Sequence, residues 1–370
     1  MDSKTVRELY KKASPLEQPL EPAEGSKKFN KIRQGIATNT LTKISPNNAV
    51  ITENKIKKTV TLTQGDTSLT LPAFLIDGLK TSTYQLLDVL VGELTDTGAK
   101  SPTTSISLAE YMAKRKLKDR KTARVQAEAD LEELYNASIS FVHTRKNSEP
   151  KDFKDIRIIS SKGIERGVIG VTFGMDFYKV LLSYPVMDAP AQLLSINSKK
   201  NPNSYYFIRK IAEHKNMNVG KPNEDILGVS TLLDIAPFIP KYEEVKKKDR
   251  AVTRTIIDRF ERDMNALADT LTWEYCHSKG KPLTEKELNN FTYDLFSSLF
   301  IKTTWHEYPD QTARLERKAE RIEKAKKKKE KLEKEVTKEV AKAKAKKIVE
   351  EEEEKAKKER KEKEEKRKKE

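Results

Sequence analysis

Apolar positions along the chain change period several times, and those changes divide it into segments. From residue 57 the spacing is two: Lys57-Lys58-Thr59-Val60-Thr61-Leu62-Thr63 and Thr67-Ser68-Leu69-Thr70-Leu71 alternate around Gln64-Gly65-Asp66. That pattern predicts a hairpin with a Gly-Asp turn. The period then lengthens, and Thr81 to Leu94 sets Tyr84, Leu87, Leu90, Val91 and Leu94 at helical spacing. Ser107-Leu-Ala-Glu110 is a Ser-x-x-Glu capping box opening a short helix. Asp119 is the expected cap of a longer helix, Arg120 to Asn136, with Val125, Leu131, Leu134 and Tyr135 as its buried stripe. Alternation returns at Ser138 to His143, at Ile156 to Ile159 beyond a polar loop, and at Gly167 to Phe173. A helix from Asp176 to Leu182 and the break at Pro185 close this block.

The next block repeats that order without repeating its residues. Ser204 to Glu213 offers Tyr205, Phe207, Ile208 and Ile211 to a core, and Ser230 to Ala236 is a short second helix ended by Pro237. A linker, Ile239 to Lys248, leads to a third helix from about Asp249 to Thr270, whose stripe is Val252, Ile256, Ile257, Phe260, Met264 and Leu267. Leu271 to Cys276 and Phe296 to Trp305 are its expected strands. In each block a short helix, a connection and a longer helix form a helix-turn-helix shape, and the hairpin that follows is its wing. The expected fold is therefore α+β and helix-rich, with winged-helix domains at 48–185 and 186–310.

Both ends have a different texture. Residues 1–47 are polar, broken by Pro15, Pro19, Pro22, Gly25 and Pro46, and are expected to be a disordered arm, because they bury too little to offset chain entropy. Residues 311–370 hold 26 Lys and Arg against 17 Asp and Glu, with neither Gly nor Pro. They read as a long, solitary charged helix with no unbroken heptad. This tail supplies +9 of the chain's formal +16. The overall charge thus says less about binding than its placement does.

The sharpest placement is residues 114–124, where Lys114, Arg115, Lys116, Lys118, Arg120, Lys121 and Arg124 face Asp119 alone. They span the turn and the start of the third helix, the part of a helix-turn-helix that meets DNA, and a helix N-terminus also favours phosphate. In the second block Lys246, Lys247, Lys248 and Arg250 precede or open the third helix and Arg254 lies one turn on. Arg250 and Arg254 are the candidates for base edges and the three lysines for backbone. Arg259 and Arg262 are read as pairing with nearby acids. Aromatic residues fall on apolar stripes and do not interleave with cations, which favours duplex over single-stranded DNA.

Catalytic patterns are missing. There is no phosphate loop and no Gly-x-Gly-x-x-Gly; His143, His214, His277 and His306 are isolated; and Cys276 is the one cysteine, expected in the core. Neither an enzyme, a metal nor a cofactor is expected. Tyr205-Tyr206 could suggest a nicking tyrosine, but the metal-binding histidine pair of such enzymes is absent and core packing is simpler. With no secretory leader or apolar run of membrane length, a cytoplasmic protein without membrane contact is expected.

The two blocks together resemble the plasmid replication initiators that bind iterons. The resemblance spans roughly residues 70–305 and is carried by Ser204-Tyr-Tyr-Phe-Ile-Arg-Lys-Ile-Ala-Glu213 and Gly170-Val-Thr-Phe-Gly-Met-Asp-Phe-Tyr-Lys-Val-Leu-Leu182. It departs from the family where a central Arg-x-Tyr is replaced by Tyr206-Phe207-Ile208. It implies a protein of a plasmid or integrative mobile element that binds repeated origin sites in double-stranded DNA. Both third helices would enter successive major grooves, and host replication proteins such as the helicase or its loader would be recruited. Homodimers formed through the first unit would repress while monomers initiate. A winged-helix transcriptional regulator, or a scaffold acting through its tail, is the alternative.

Overall fold

The alternating segment at 57–71 forms two strands of a five-stranded antiparallel sheet, in the order β2-β3-β4-β6-β7. Its strands are β2 (Val50–Asn54), β3 (Thr59–Gln64), β4 (Thr67–Pro72), β6 (Ser138–His143) and β7 (Lys151–Arg157). The computed structural model describes residues 28–33, 44, 49–65, 67–75, 78–143, 151–248 and 251–312, with a few positions between 315 and 327. Val60 lies opposite Leu71 and Leu62 opposite Leu69, which in turn lies opposite Ile139. All are buried. Thr61 and Thr70 on the other face meet at 3.2 Å. Gly65, at φ 56°, takes the left-handed conformation the turn requires.

The first helical block follows. Helix α1 (Thr81–Asp96) is buried over most of its length, beyond its predicted stripe. Strand β5 (Thr103–Ser107), α2 (Leu108–Arg115) and α3 (Arg120–Asn136) come next. A second sheet, in the order β5-β9-β8, pairs β5 with β9 (Val168–Phe173) and β9 with β8 (Ile159–Glu165). The hairpin beside α3 is therefore β8–β9, and the first strands expected to form the wing, β6 and β7, belong to the five-stranded sheet. The reason lies at Ile158 and Ile159, consecutive and both fully buried. Two successive buried side chains break a period of two, so Ile156–Ile159 is the junction between β7 and β8, not one strand. Gly174 is needed at this crossing: a Cβ there would stand 2.2 Å from the Arg157 carbonyl oxygen. Helix α4 (Met175–Leu182) ends the block.

Strand β10 (Val186–Pro190) pairs with β1 (Phe29–Arg33), where a disordered arm was expected. Ile32 is buried there, against a partner too distant in sequence for a local pattern to reveal. Residues 1–27 of the expected arm lie outside the described residues. After α5 (Gln192–Ser195) the second block runs α6 (Ser204–Asn218), β11 (Ile226–Gly228), α7 (Val229–Asp234), α8 (Tyr242–Lys247), a π-helical turn at Thr253–Ile257, α9 (Asp258–Asn265), β12 (Leu271–Cys276) and β13 (Phe300–Trp305). Its sheet, β11-β13-β12, has the strand order of the first block: the first strand pairs with the third and the third with the second. The connections between second and third strands differ. Two residues, Arg166 and Gly167, link β8 to β9, whereas α10 (Glu285–Asn289) and α11 (Tyr293–Ser298) lie between β12 and β13. Phe296, expected on a strand, is buried on α11. Helix also replaces the expected linker at 242–247.

A single set of packed apolar residues extends from Ile32 to Ile301. Residues 1–309 cluster as one compact unit and 310–370 as another. In the second unit the described positions from 312 to 327 are helical, with Glu323–Lys327 paired one turn apart at 2.7 Å. The rest of the predicted tail helix lies outside the described residues.

Candidate nucleic-acid interface

The α2–α3 connection is built by local capping. Ser107 Oγ accepts from the Glu110 N–H at 3.1 Å and starts α2. At its other end Lys116 adopts φ 50°, and the Leu117 N–H donates to the Met112 carbonyl at 2.9 Å, which closes the helix. Asp119 then caps α3, its carboxylate accepting from the Thr122 N–H at 2.6 Å. Hydrogen bonding from the Thr122 side chain, and then from its backbone N–H, holds the Asp119 carboxyl below its ordinary pKa. α3 buries Ala123, Ala127, Leu131 and Leu134, which leaves its other face to solvent.

Seven cations were nominated here, and the structure divides them. Lys116, Lys118, Arg120, Lys121 and Arg124 are exposed on the connection and the first turns of α3. Arg124 donates through Nε to Glu128 at 2.9 Å, which uses one of its five donors. Lys114 is ion-paired with Glu93 and lies 3.8 Å from Glu110. The Glu93 pKa is still raised, because burial outweighs that partner. Arg115 is a correction: it is 7% exposed, donates to Tyr111 Oη at 3.0 Å and lies 5.6 Å from the centre of that ring. It sits four residues after Tyr111 and seven after Leu108, on the buried face of α2.

Two exposed residues that the sequence did not place at this surface join the five cations. Arg166, at φ 49°, is at the tip of the β8–β9 turn. This turn lies beside α3, since a Cβ at Gly167 would stand 3.1 Å from Arg120 Nη2. Gly167 just ahead of the alternating run that ends at Phe173 is a turn residue, so the turn that presents Arg166 was open to detection. The other residue is Val125, expected in the buried stripe and 58% exposed. Alanines at 123 and 127 take the core positions instead, a role that weighting by large apolar residues overlooks.

In the second block, Lys246 and Lys247 occupy the last turn of α8 and Lys248 follows it, so they do not open the third helix. All three are exposed, and Lys246 Nζ lies 5.7 Å from the centre of the Tyr242 ring. Arg250 lies outside the described residues. Arg254 is exposed on the π-helical turn. Arg259 and Arg262 are both exposed; Arg262 pairs with Asp263 at 2.7 Å, as expected, and no ion pair of Arg259 is found among the described residues. Asp263 is buried and accepts from the backbone and side-chain nitrogens of Asn203 at 3.0 and 2.7 Å, tying α9 to the start of α6.

Tyr205 and Tyr206 are core residues. Tyr205 donates to Asp88 at 2.7 Å, and burial drives its pKa well up and that of Tyr206 to about 12. Neither hydroxyl is placed as a nucleophile. Cys276 is likewise buried, which raises its thiol pKa. Among the described residues no helix is long and apolar enough to cross a membrane.

No family model and no curated protein matches the chain. Two solved structures of domains 2 and 3 of RctB are similar to it. One shares 11% identity over 78% of this chain and 95% of that chain, with a TM-score of 0.35. The other shares 10% over 77% and 93%, with a TM-score of 0.32. Likeness at this level assigns no function.

Proposed function

We propose that the two blocks are winged-helix modules and that the chain is a non-catalytic, sequence-selective binder of double-stranded DNA. It would act as the replication initiator of a plasmid or integrative element. The observation that carries this reading is the group of five exposed cations, Lys116, Lys118, Arg120, Lys121 and Arg124, at the start of a helix anchored by its opposite face. Helix N-termini and their preceding turns accept phosphate, and the first turns of such a helix reach base edges in the major groove. Arg166 on the neighbouring turn would meet the flanking backbone. Lys246, Lys247, Lys248 and Arg254 would serve in the same way in the second module.

No covalent chemistry is needed. Affinity would come from counterion release at phosphates, selectivity from arginine contacts with base edges, and part of the binding energy would go into bending the duplex. Recruitment of host replication proteins and homodimerisation belong to the same proposal. Footprinting of the DNA around the gene, then a minimal-replicon assay, tests it. Protection of repeated sites, with a replicon that fails when the gene is deleted, is the expected result. A replicon that persists without the gene overturns the initiator role, and a single protected operator would point to a transcriptional regulator.

A further inference from the structure

We infer that Val125 is a specificity-determining residue whose isopropyl group packs against the C5 methyl of a thymine in the major groove. This rests on the proposed DNA-binding role of α3. Folding makes little use of Val125: it is 58% exposed, and valine is a poorer helix former than the Lys, Gln or Ala that would serve at a solvated position. Single exposed apolar residues are common on protein surfaces, so exposure alone carries no weight. Its location does.

Lys121, Arg124, Val125 and Glu128 lie at spacings of three, four and seven along α3, and all are exposed. They form one face, opposite the buried Ala123, Ala127, Leu131 and Leu134. Val125 follows five residues after Arg120, about 7.5 Å along the axis at 1.5 Å per residue. It therefore stands one turn beyond the cations that would meet phosphate, at the depth of base edges. Arg124 beside it is oriented by Glu128 through Nε, with its remaining N–H groups available for an acceptor pair such as guanine O6 and N7. In the major groove thymine alone presents a methyl group, which proteins read by apolar contact. A branched aliphatic side chain among hydrogen-bonding neighbours supplies that contact, and none of the polar residues on this face can.

The test uses the full chain and duplexes selected by it from a random pool. Each thymine in the selected site is replaced, one at a time, by uracil, which lacks only the methyl. At one position the wild-type protein is expected to lose about fourfold in affinity, the worth of one buried methyl group. Val125→Ala is expected to bind the thymine and uracil duplexes within a factor of two of each other, and Val125→Thr, which keeps one methyl, to retain part of the difference. Because the side chain is exposed, both variants should unfold like the wild type. Wild-type indifference to uracil at every position overturns the inference, as does a Val125→Ala protein that keeps the full thymine preference. Failure to recover any preferred duplex overturns the DNA-binding role itself, a separate outcome read before any uracil is introduced.

Discussion

Lys116 is subject to two opposing demands. It ends α2 at φ 50°, a conformation that costs a non-glycine residue about 1 kcal/mol, yet its ammonium is among the exposed cations at the α2–α3 connection. Lys116→Gly is expected to raise stability by about 0.5–1 kcal/mol, seen as a higher urea midpoint, and to lower the salt slope of DNA binding by about one. Stabilisation with unchanged binding would remove Lys116 from the interface. Arg115 next to it shows what spacing could reveal. Leu108, Tyr111 and Arg115 fall on one helical face, so once the capping box had placed α2, spacing alone put Arg115 inward; its charge concealed this. Arg166 carried a readable turn signal as well. The exposure of Val125 did not, because it follows from two small residues, Ala123 and Ala127, taking the buried positions of α3.

At the level of elements, α1 and α3 meet through polar groups. Ser82 and Thr83 donate to Asp130 at 2.7 and 3.0 Å, and Thr83 also donates to Glu133 at 2.6 Å, which is ion-paired with Lys80. Asp130 Oδ2 has no hydrogen-bond partner among the described residues. Burial pushes the Asp130 pKa up to about 6, against the hydrogen bonds from Ser82 and Thr83 and the charge of Arg115. A carboxyl with a folded pKa above its unfolded value of about 3.9 holds its proton longer in the folded state, so its contribution to stability is greatest below pH 4 and is lost as pH rises to about 6. Asp130→Asn, which can still accept from Ser82 and Thr83, is expected to gain on the wild type by up to about 2 kcal/mol between pH 4 and pH 7. Urea unfolding across that range measures it, and a difference that does not change with pH would show that Asp130 is ionised throughout. The helices of this region were legible from period and caps: Asp119 and Ser107 cap where their spacing predicted. The strands were less so. β5, Thr-Thr-Ser-Ile-Ser, is too short and polar to stand out, and it exists because β9 offers it a ladder. The assignment of β6 and β7 to the larger sheet depends on Ile139 meeting Leu69, a long-range pairing.

Across residues 1–309, the two helical blocks share an interior. Asp88 on α1 is paired with Arg209 on α6, and Tyr205 donates to the same carboxylate. Burial opposes the charge on Arg209, but Asp88 beside it outweighs that and raises its pKa. A buried pair of this kind would leave an uncompensated charge if either partner were lost. It joins the blocks at their first helices. The third helices of both blocks are thus parts of one compact unit, as the proposed binding of both to one duplex would require. The central claim is that the exposed cations at the start of α3 recognise duplex DNA. Its most direct test is the affinity of the full chain for its selected duplex and for a scrambled one, over a range of salt, with Lys118, Arg120, Lys121 and Arg124 intact or all changed to glutamine. The intact protein is expected to prefer the selected duplex by about a thousandfold or more, and the substituted protein to lose that preference with a salt slope shallower by about three to four. Equal preference and equal slope in the two proteins would contradict the claim.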